Sequence, residues 1–156
     1  MIMTVYDLYD IYAVFLYLRA YPEDEKNAEI AKAVKGLLDE PWGEHGEFNS
    51  VRCTIAAIEG IDRERWRWAF VENDYTYIPG FIKDELHYRV LSEGFAEIIS
   101  AIESGNGERI YRAADAMHNV PIIFSQYDIK EAKKHIKREI SFYRKKYNED
   151  FLKEEI

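Results

Sequence analysis

Apolar side chains return every three or four positions through much of this chain, and this spacing constrains the fold more than any other feature of the sequence. The cleanest example lies between Asp84 and Ser104, where one apolar stripe consists of Leu86, Val90, Leu91, Phe95, Ile98, Ile99 and Ile102. An α-helix places residues at this spacing on one face, whereas a strand places alternate residues together. Because a helix with such a face must bury it against other elements, the sequence predicts a packed helical protein.

The same spacing, together with capping and breaking residues, predicts seven helices. Their expected bounds are about 5–21, 22–38, 51–59, 62–72, 84–104, 108–119 and 128–147. Pro22 suits the first turn of the second helix, because a missing N–H costs nothing there. Asp128 with Glu131 resembles a capping box at the start of the last helix. The turn at 105–107 (Gly-Asn-Gly) is tight, so the fifth and sixth helices should form a hairpin.

We therefore expect an all-α fold, in which a compact bundle of six to seven helices forms a single helical domain over residues 1–156. The chain contains no linker, internal repeat or low-complexity tract that would divide it. One short extended segment is expected near residues 75–79, where a brief run of β-favouring residues ends at Pro79. It could be a strand or an extended loop.

Several features indicate a cytoplasmic protein without a membrane segment. The longest uncharged apolar run, Ile11 to Leu18, is eight residues, whereas a bilayer span needs about 20. The start of the chain lacks the basic segment of a signal peptide. Cys53 is the only cysteine, so an internal disulfide and a Cys-based zinc site are excluded. Its apolar helical neighbours predict that Cys53 is a buried small side chain.

Charge is distributed very unevenly along the chain. The formal net charge is -8, yet residues 130–146 carry +6, which leaves about -14 for the rest. The candidate basic surface consists of Lys130, Lys133, Lys134, Lys137 and Arg138. Such a surface could meet an acidic partner, nucleic acid or anionic lipid. The overall negative charge disfavours nucleic acid, and the surface could also simply be solvated and pair with the acidic second helix.

The most distinctive local string surrounds Asp115, His118 and Asn119. Asp115 and His118 are three residues apart and share one helix face. A carboxylate beside an imidazole can orient it and raise its basicity, as in general-base or metal sites. Alternatively, His118 and Asn119 lie in the last helical turn, where their side chains would satisfy free carbonyl groups. His87 joins this candidate cluster if the fifth and sixth helices pack together.

No motif in the sequence indicates a cofactor. A phosphate-binding P-loop and a nucleophile elbow are both missing, and the histidines and acids lack the spacing of a metal site. We therefore expect no cofactor and no metal.

The leading hypothesis is a non-catalytic interaction or regulatory protein, such as a small bacterial-type immunity factor, with a protein partner or self-association. The alternative is a helical hydrolase or metal-binding enzyme that uses Asp115 and His118.

Overall fold

Helices dominate the structure, a computed structural model that describes residues 6–39, 51–72, 81–82 and 85–152. The α-helices are α1 (Leu8–Ala20), α2 (Asn27–Asp39), α3 (Val51–Ala56), α4 (Arg63–Arg67), α5 (Glu85–Glu103), α6 (Gly107–Met117), α7 (Val120–Gln126) and α8 (Ile129–Tyr147). A π-helical segment, Trp68–Glu72, follows α4 directly. Two-residue strands, β1 (Tyr6–Asp7) and β2 (Phe81–Ile82), pair antiparallel with Tyr6 opposite Ile82. The expected all-α bundle is confirmed.

Helix α1 lies at the centre of the bundle. Its buried residues face every direction, and they are Leu8, Asp10, Ile11, Tyr12, Ala13, Val14, Phe15, Tyr17 and Leu18. A helix that is apolar on all sides has to be surrounded by other elements. Accordingly, α1 packs on α6, α7, α3 and the π-helical segment, while α5 packs on α2 and α6. The rings of Phe15 and Phe95 stack at 4.6 Å between their centroids.

The α5–α6 hairpin and the cap of α8 form as the sequence predicts. Asn106 caps α6 by accepting hydrogen bonds from two amides of its first turn. Gly94 on α5 leaves room for the Met117 side chain of α6, which a Cβ atom at this position would overlap. Asp128 caps α8 and accepts a hydrogen bond of 2.9 Å from the Glu131 amide. The outer helix α8 then packs on α6 and α7.

Several helices differ from the sequence predictions. The third helix ends at Ala56 and not near residue 59, and the fourth changes to π-helical geometry after Arg67. The second helix begins at Asn27 and not at Pro22, because the Asp24 carboxylate accepts hydrogen bonds from the Lys26 amide and the Tyr17 hydroxyl and so stabilises a turn. The segment after residue 119, expected to be an irregular connector, is the helix α7. Pro121 lies in its first turn, where proline is tolerated.

Three further expectations concern Cys53, the extended segment at 75–79 and the lack of a membrane-spanning helix. Cys53 is exposed, so the prediction of a buried thiol is wrong; it lies on the outer side of the short helix α3, whose buried residues are Val51 and Ile55. The segment at 75–79 lies outside the described residues. Within the described ranges, none of the helices combines the length and apolar character needed to cross a bilayer.

Replacing Phe95 with alanine should destabilise the protein strongly. Phe95 is fully buried and stacks on Phe15, and a large cavity at such a site typically costs about 3–5 kcal/mol. Phe142→Ala is the matched control, because Phe142 is 57% exposed and should change stability by less than about 0.5 kcal/mol. Urea unfolding followed by circular dichroism measures both. Equal losses would contradict the central position of the α1–α5 contact.

Candidate functional site

The carboxylate of Asp115 is the centre of a polar cluster in which three helices meet. Asp115 is only 4% exposed. It accepts a hydrogen bond of 2.6 Å from the Tyr147 hydroxyl. The Arg19 Nε atom lies 3.3 Å from its Oδ1 atom, and the Lys146 Nζ atom lies 3.7 Å from its Oδ2 atom. Donors from α1 and α8 therefore compensate the cost of burying this charge.

Local sequence explains why Asp115 is buried. Alanines at 113, 114 and 116 surround it and are buried themselves, so α1 can pack closely against α6. Arg19 lies in the last turn of α1, and Tyr147 and Lys146 lie in the last turn of α8. The two helix ends bring their polar side chains to the last turn of α6, where Asp115 is the anion between them.

The His118 side chain joins this cluster mainly through the backbone. Its Nδ1 atom lies 2.5 Å from the carbonyl oxygen of Asp115 and 3.6 Å from the Asp115 Oδ1 atom. Because a carbonyl oxygen can only accept, the Nδ1 atom carries the proton, and the neutral ring keeps a lone pair on Nε2. Burial lowers the pKa of His118, and the nearby Arg19 charge lowers it further, against the opposing effect of Asp115. The geometry matches a side chain that satisfies a free carbonyl at a helix end.

The other two members of the candidate cluster face different neighbours. Asn119 donates a hydrogen bond of 2.7 Å from its amide to the Glu139 Oε1 atom on α8. His87 on α5 packs its ring on Phe124 of α7, with centroids 3.9 Å apart. The structure thus brings Asp115 and His118 together and engages Asn119 and His87 elsewhere. In the described part of the chain, no three histidine, cysteine or acidic residues are grouped so that they could hold a metal ion.

The basic surface lies on the outer face of α8. All five of its residues, Lys130, Lys133, Lys134, Lys137 and Arg138, are exposed. The inner face of the same helix is apolar and buried through Ala132, Ile136, Ile140 and Tyr143. Lys134 forms a 3.3 Å ion pair with Glu131. No acidic side chain of the described residues pairs with the other four, and within those residues no ion pair links α8 to α2.

Sequence reasoning missed three of the residues around Asp115. Arg19, Lys146 and Tyr147 are distant from it along the chain, and no spacing rule connects them to it. A buried aspartate on an apolar helix face does require a partner, so the sequence could have indicated that a partner exists. Which side chain supplies it depends on how the helix ends meet.

Replacing Tyr147 with phenylalanine should destabilise the protein by about 1–2 kcal/mol, because it removes a hydrogen bond to a buried charged group. Tyr111→Phe is the control: Tyr111 is 37% exposed, and its loss of a hydroxyl should cost less than about 0.5 kcal/mol. Urea unfolding curves compare the two variants. If the Tyr147→Phe and Tyr111→Phe variants were equally stable, the hydrogen bond from Tyr147 to Asp115 would not stabilise the contact between α6 and α8.

The lowered pKa of His118 predicts a pH dependence of stability. Near and below the ordinary histidine pKa of about 6.5, His118 binds a proton more readily in the unfolded chain than in the folded protein. The free energy of unfolding therefore falls as the pH is lowered through this range. His118→Asn, which can still donate to the carbonyl, should lose less stability than the wild type between about pH 7.5 and about pH 5.5. Identical losses in the two proteins would show that His118 does not contribute.

Comparison with known proteins supplies no family for this chain. No protein-family model, no curated protein and no solved structure matches it.

Proposed function

We propose that this chain is a non-catalytic binding protein whose basic surface on α8 holds an acidic surface of a protein partner. The observation that carries the proposal is the exposed set of cations on one helix face. Lys130, Lys133, Lys137 and Arg138 have no acidic partner among the described residues, while the charges nearer the core are paired. Unpaired charges on a common face are available to a partner.

The arrangement of these cations favours a compact acidic partner. A helix of 19 residues is about 28 Å long at the usual rise per residue. Neighbouring cations on it lie within the screening length of about 8–10 Å, so their potentials add. A positive potential of this kind accelerates the encounter with an acidic protein surface and orients it.

Two features favour a protein over nucleic acid. The remainder of the chain carries about -14, which repels an extended polyanion more than a partner whose acidic patch is no larger than the basic surface. Phe142, on the same helix, is 57% exposed. Exposed aromatic side chains commonly anchor protein–protein interfaces, with charged residues around them.

Reversing the charge of the surface should abolish most of this binding. The triple variant Lys130→Glu, Lys133→Glu, Lys137→Glu should bind a fluorescently labelled glutamate-rich peptide containing leucine at least about tenfold more weakly than the wild type at low salt. The control variant Lys32→Glu, Arg63→Glu, Arg89→Glu makes the same change of net charge at exposed positions of other helices and should retain wild-type affinity. Fluorescence anisotropy measures the affinities.

The alternative explanations predict different results for the same two variants. Equal losses in both variants, or no binding by the wild type, would refute a role for α8. Tighter binding of a labelled DNA duplex than of the peptide would refute a protein partner. A wild-type oligomer that the α8 variant dissociates, measured by analytical ultracentrifugation, would identify the partner as a second copy of the chain.

We also propose that the protein acts in the cytoplasm. Its one cysteine is exposed, and an exposed single thiol persists most readily in a reducing compartment.

The second candidate function is a hydrolase or metal-binding enzyme that uses Asp115 and His118. It is favoured by the His118 ring, whose Nδ1 atom is fixed by a carbonyl so that Nε2 could act as a base or ligand. Asp115, however, is already engaged by Arg19 and Tyr147. Metal analysis of the purified wild type and of His118→Ala tests this function. A metal lost in the variant would support it, and the same metal content in both would count against it.

A further inference from the structure

A surface cavity lies where the end of α1 meets α4 and the π-helical segment. Its volume is about 590 Å³, which is in the range of small-molecule sites, about 300–1,000 Å³. The lining consists of Tyr21, Asp62, Glu64, Arg65, Arg67 and Trp68. This cavity involves no residue of α8, so its use does not depend on the function proposed above.

Two aromatic rings form one corner of the cavity. The rings of Tyr21 and Trp68 meet edge to face, with centroids 5.7 Å apart and planes at 83°. Trp68 begins the π-helical segment, a conformation that occurs frequently at functional sites. The neighbouring Trp66 instead stacks on Phe70. One tryptophan thus packs with Phe70, while the other lines the cavity and offers a flat apolar surface.

Arg65 is held in place before any ligand binds. Its Nη1 atom donates a 3.0 Å hydrogen bond to the Asp24 carboxylate, and its guanidinium lies over the Tyr21 ring, 4.7 Å from the centroid. Burial opposes the charge on Asp24, but hydrogen bonds from Tyr17, the Lys26 amide and Arg65 outweigh it and lower the pKa of Asp24. The ionised carboxylate therefore fixes Arg65. In the described chain, no group accepts a hydrogen bond from the Nη2 atom of Arg65.

The lining contains two acidic and two basic side chains. A simple anion would meet the carboxylates of Asp62 and Glu64, and a simple cation would meet Arg65 and Arg67. Asp62 already caps α4 by accepting hydrogen bonds from the Glu64 and Arg65 amides, and it lies 3.5 Å from the Arg65 Nε atom. A molecule with both charges matches what remains: its carboxylate would bind the outer edge of the Arg65 guanidinium, and its ammonium group would lie near the exposed Glu64 carboxylate. A ring on the same molecule would pack on Trp68.

We propose that this cavity binds a small zwitterion with an aromatic ring, the chemical class of the aromatic amino acids. Both charges and the ring contribute to recognition, because each has its own complementary group in the lining.

Isothermal titration calorimetry with a matched set of probes tests the proposal. L-phenylalanine should bind with a saturable heat. L-alanine lacks the ring, 3-phenylpropionate lacks the ammonium group and phenethylamine lacks the carboxylate, and each should bind at least about fivefold more weakly. An absence of saturable binding of L-phenylalanine up to about 10 mM would overturn the proposal.

Single substitutions assign the two charges of the ligand. Glu64→Gln, at an exposed position, should weaken L-phenylalanine and phenethylamine and leave 3-phenylpropionate unchanged. Arg65→Gln should weaken L-phenylalanine and 3-phenylpropionate and leave phenethylamine unchanged, and the exposed Arg67→Gln gives the same test if Arg65→Gln does not fold. Arg109→Gln is the control, because Arg109 lines a different cavity, which α5, α6 and the residues after α8 enclose. Equal affinities in all four variants would place L-phenylalanine elsewhere on the protein.

Discussion

The burial of α1 on all sides is the constraint on which the rest of the structure depends. Its residues from Leu8 to Leu18 are almost all shielded from solvent, and a helix without a polar face is stable only inside other elements. The remaining helices therefore form layers around it: α6 and α7 pack directly on α1, and α8 covers α6 and α7 from outside. The stacked rings of Phe15 and Phe95 bring α5 into the same core.

The polar atoms of α1 determine where the bundle holds its internal charges. Asp10 is buried, and burial raises its pKa although the Arg52 guanidinium, 2.8 Å away, opposes this rise. Tyr17 donates to Asp24, and Arg19 pairs with Asp115. Each partner comes from a different part of the chain. Since an unpaired buried charge is costly, these contacts fix the turn before α2, the position of α3 and the junction of α1 with α6.

Because the internal charges are paired in this way, the chemistry available to other molecules lies at the periphery. The buried carboxylate of Asp115 connects helices, whereas the cations at the outer face of α8 have solvent as their neighbour. Arg65 combines both situations: one edge of its guanidinium is paired with Asp24, and its side chain also lines the surface cavity. A buried charge is costly unless it is paired, which explains the ion pairs between the inner helices. An exposed charge needs no protein partner, so the candidate binding surfaces lie on the outside of the bundle.

The sequence by itself determined the all-α class, the stripe of α5, the capped start of α8 and the shared face of Asp115 and His118, because these features depend on residues three or four positions apart. Only the tertiary structure decided that Arg19 and Tyr147 meet Asp115, that Tyr21 and Trp68 form one corner, and that Cys53 is exposed. Local spacing fixes which side chains share a helix face. Contacts between distant segments depend on how whole helices pack, and no short pattern of residues records that packing.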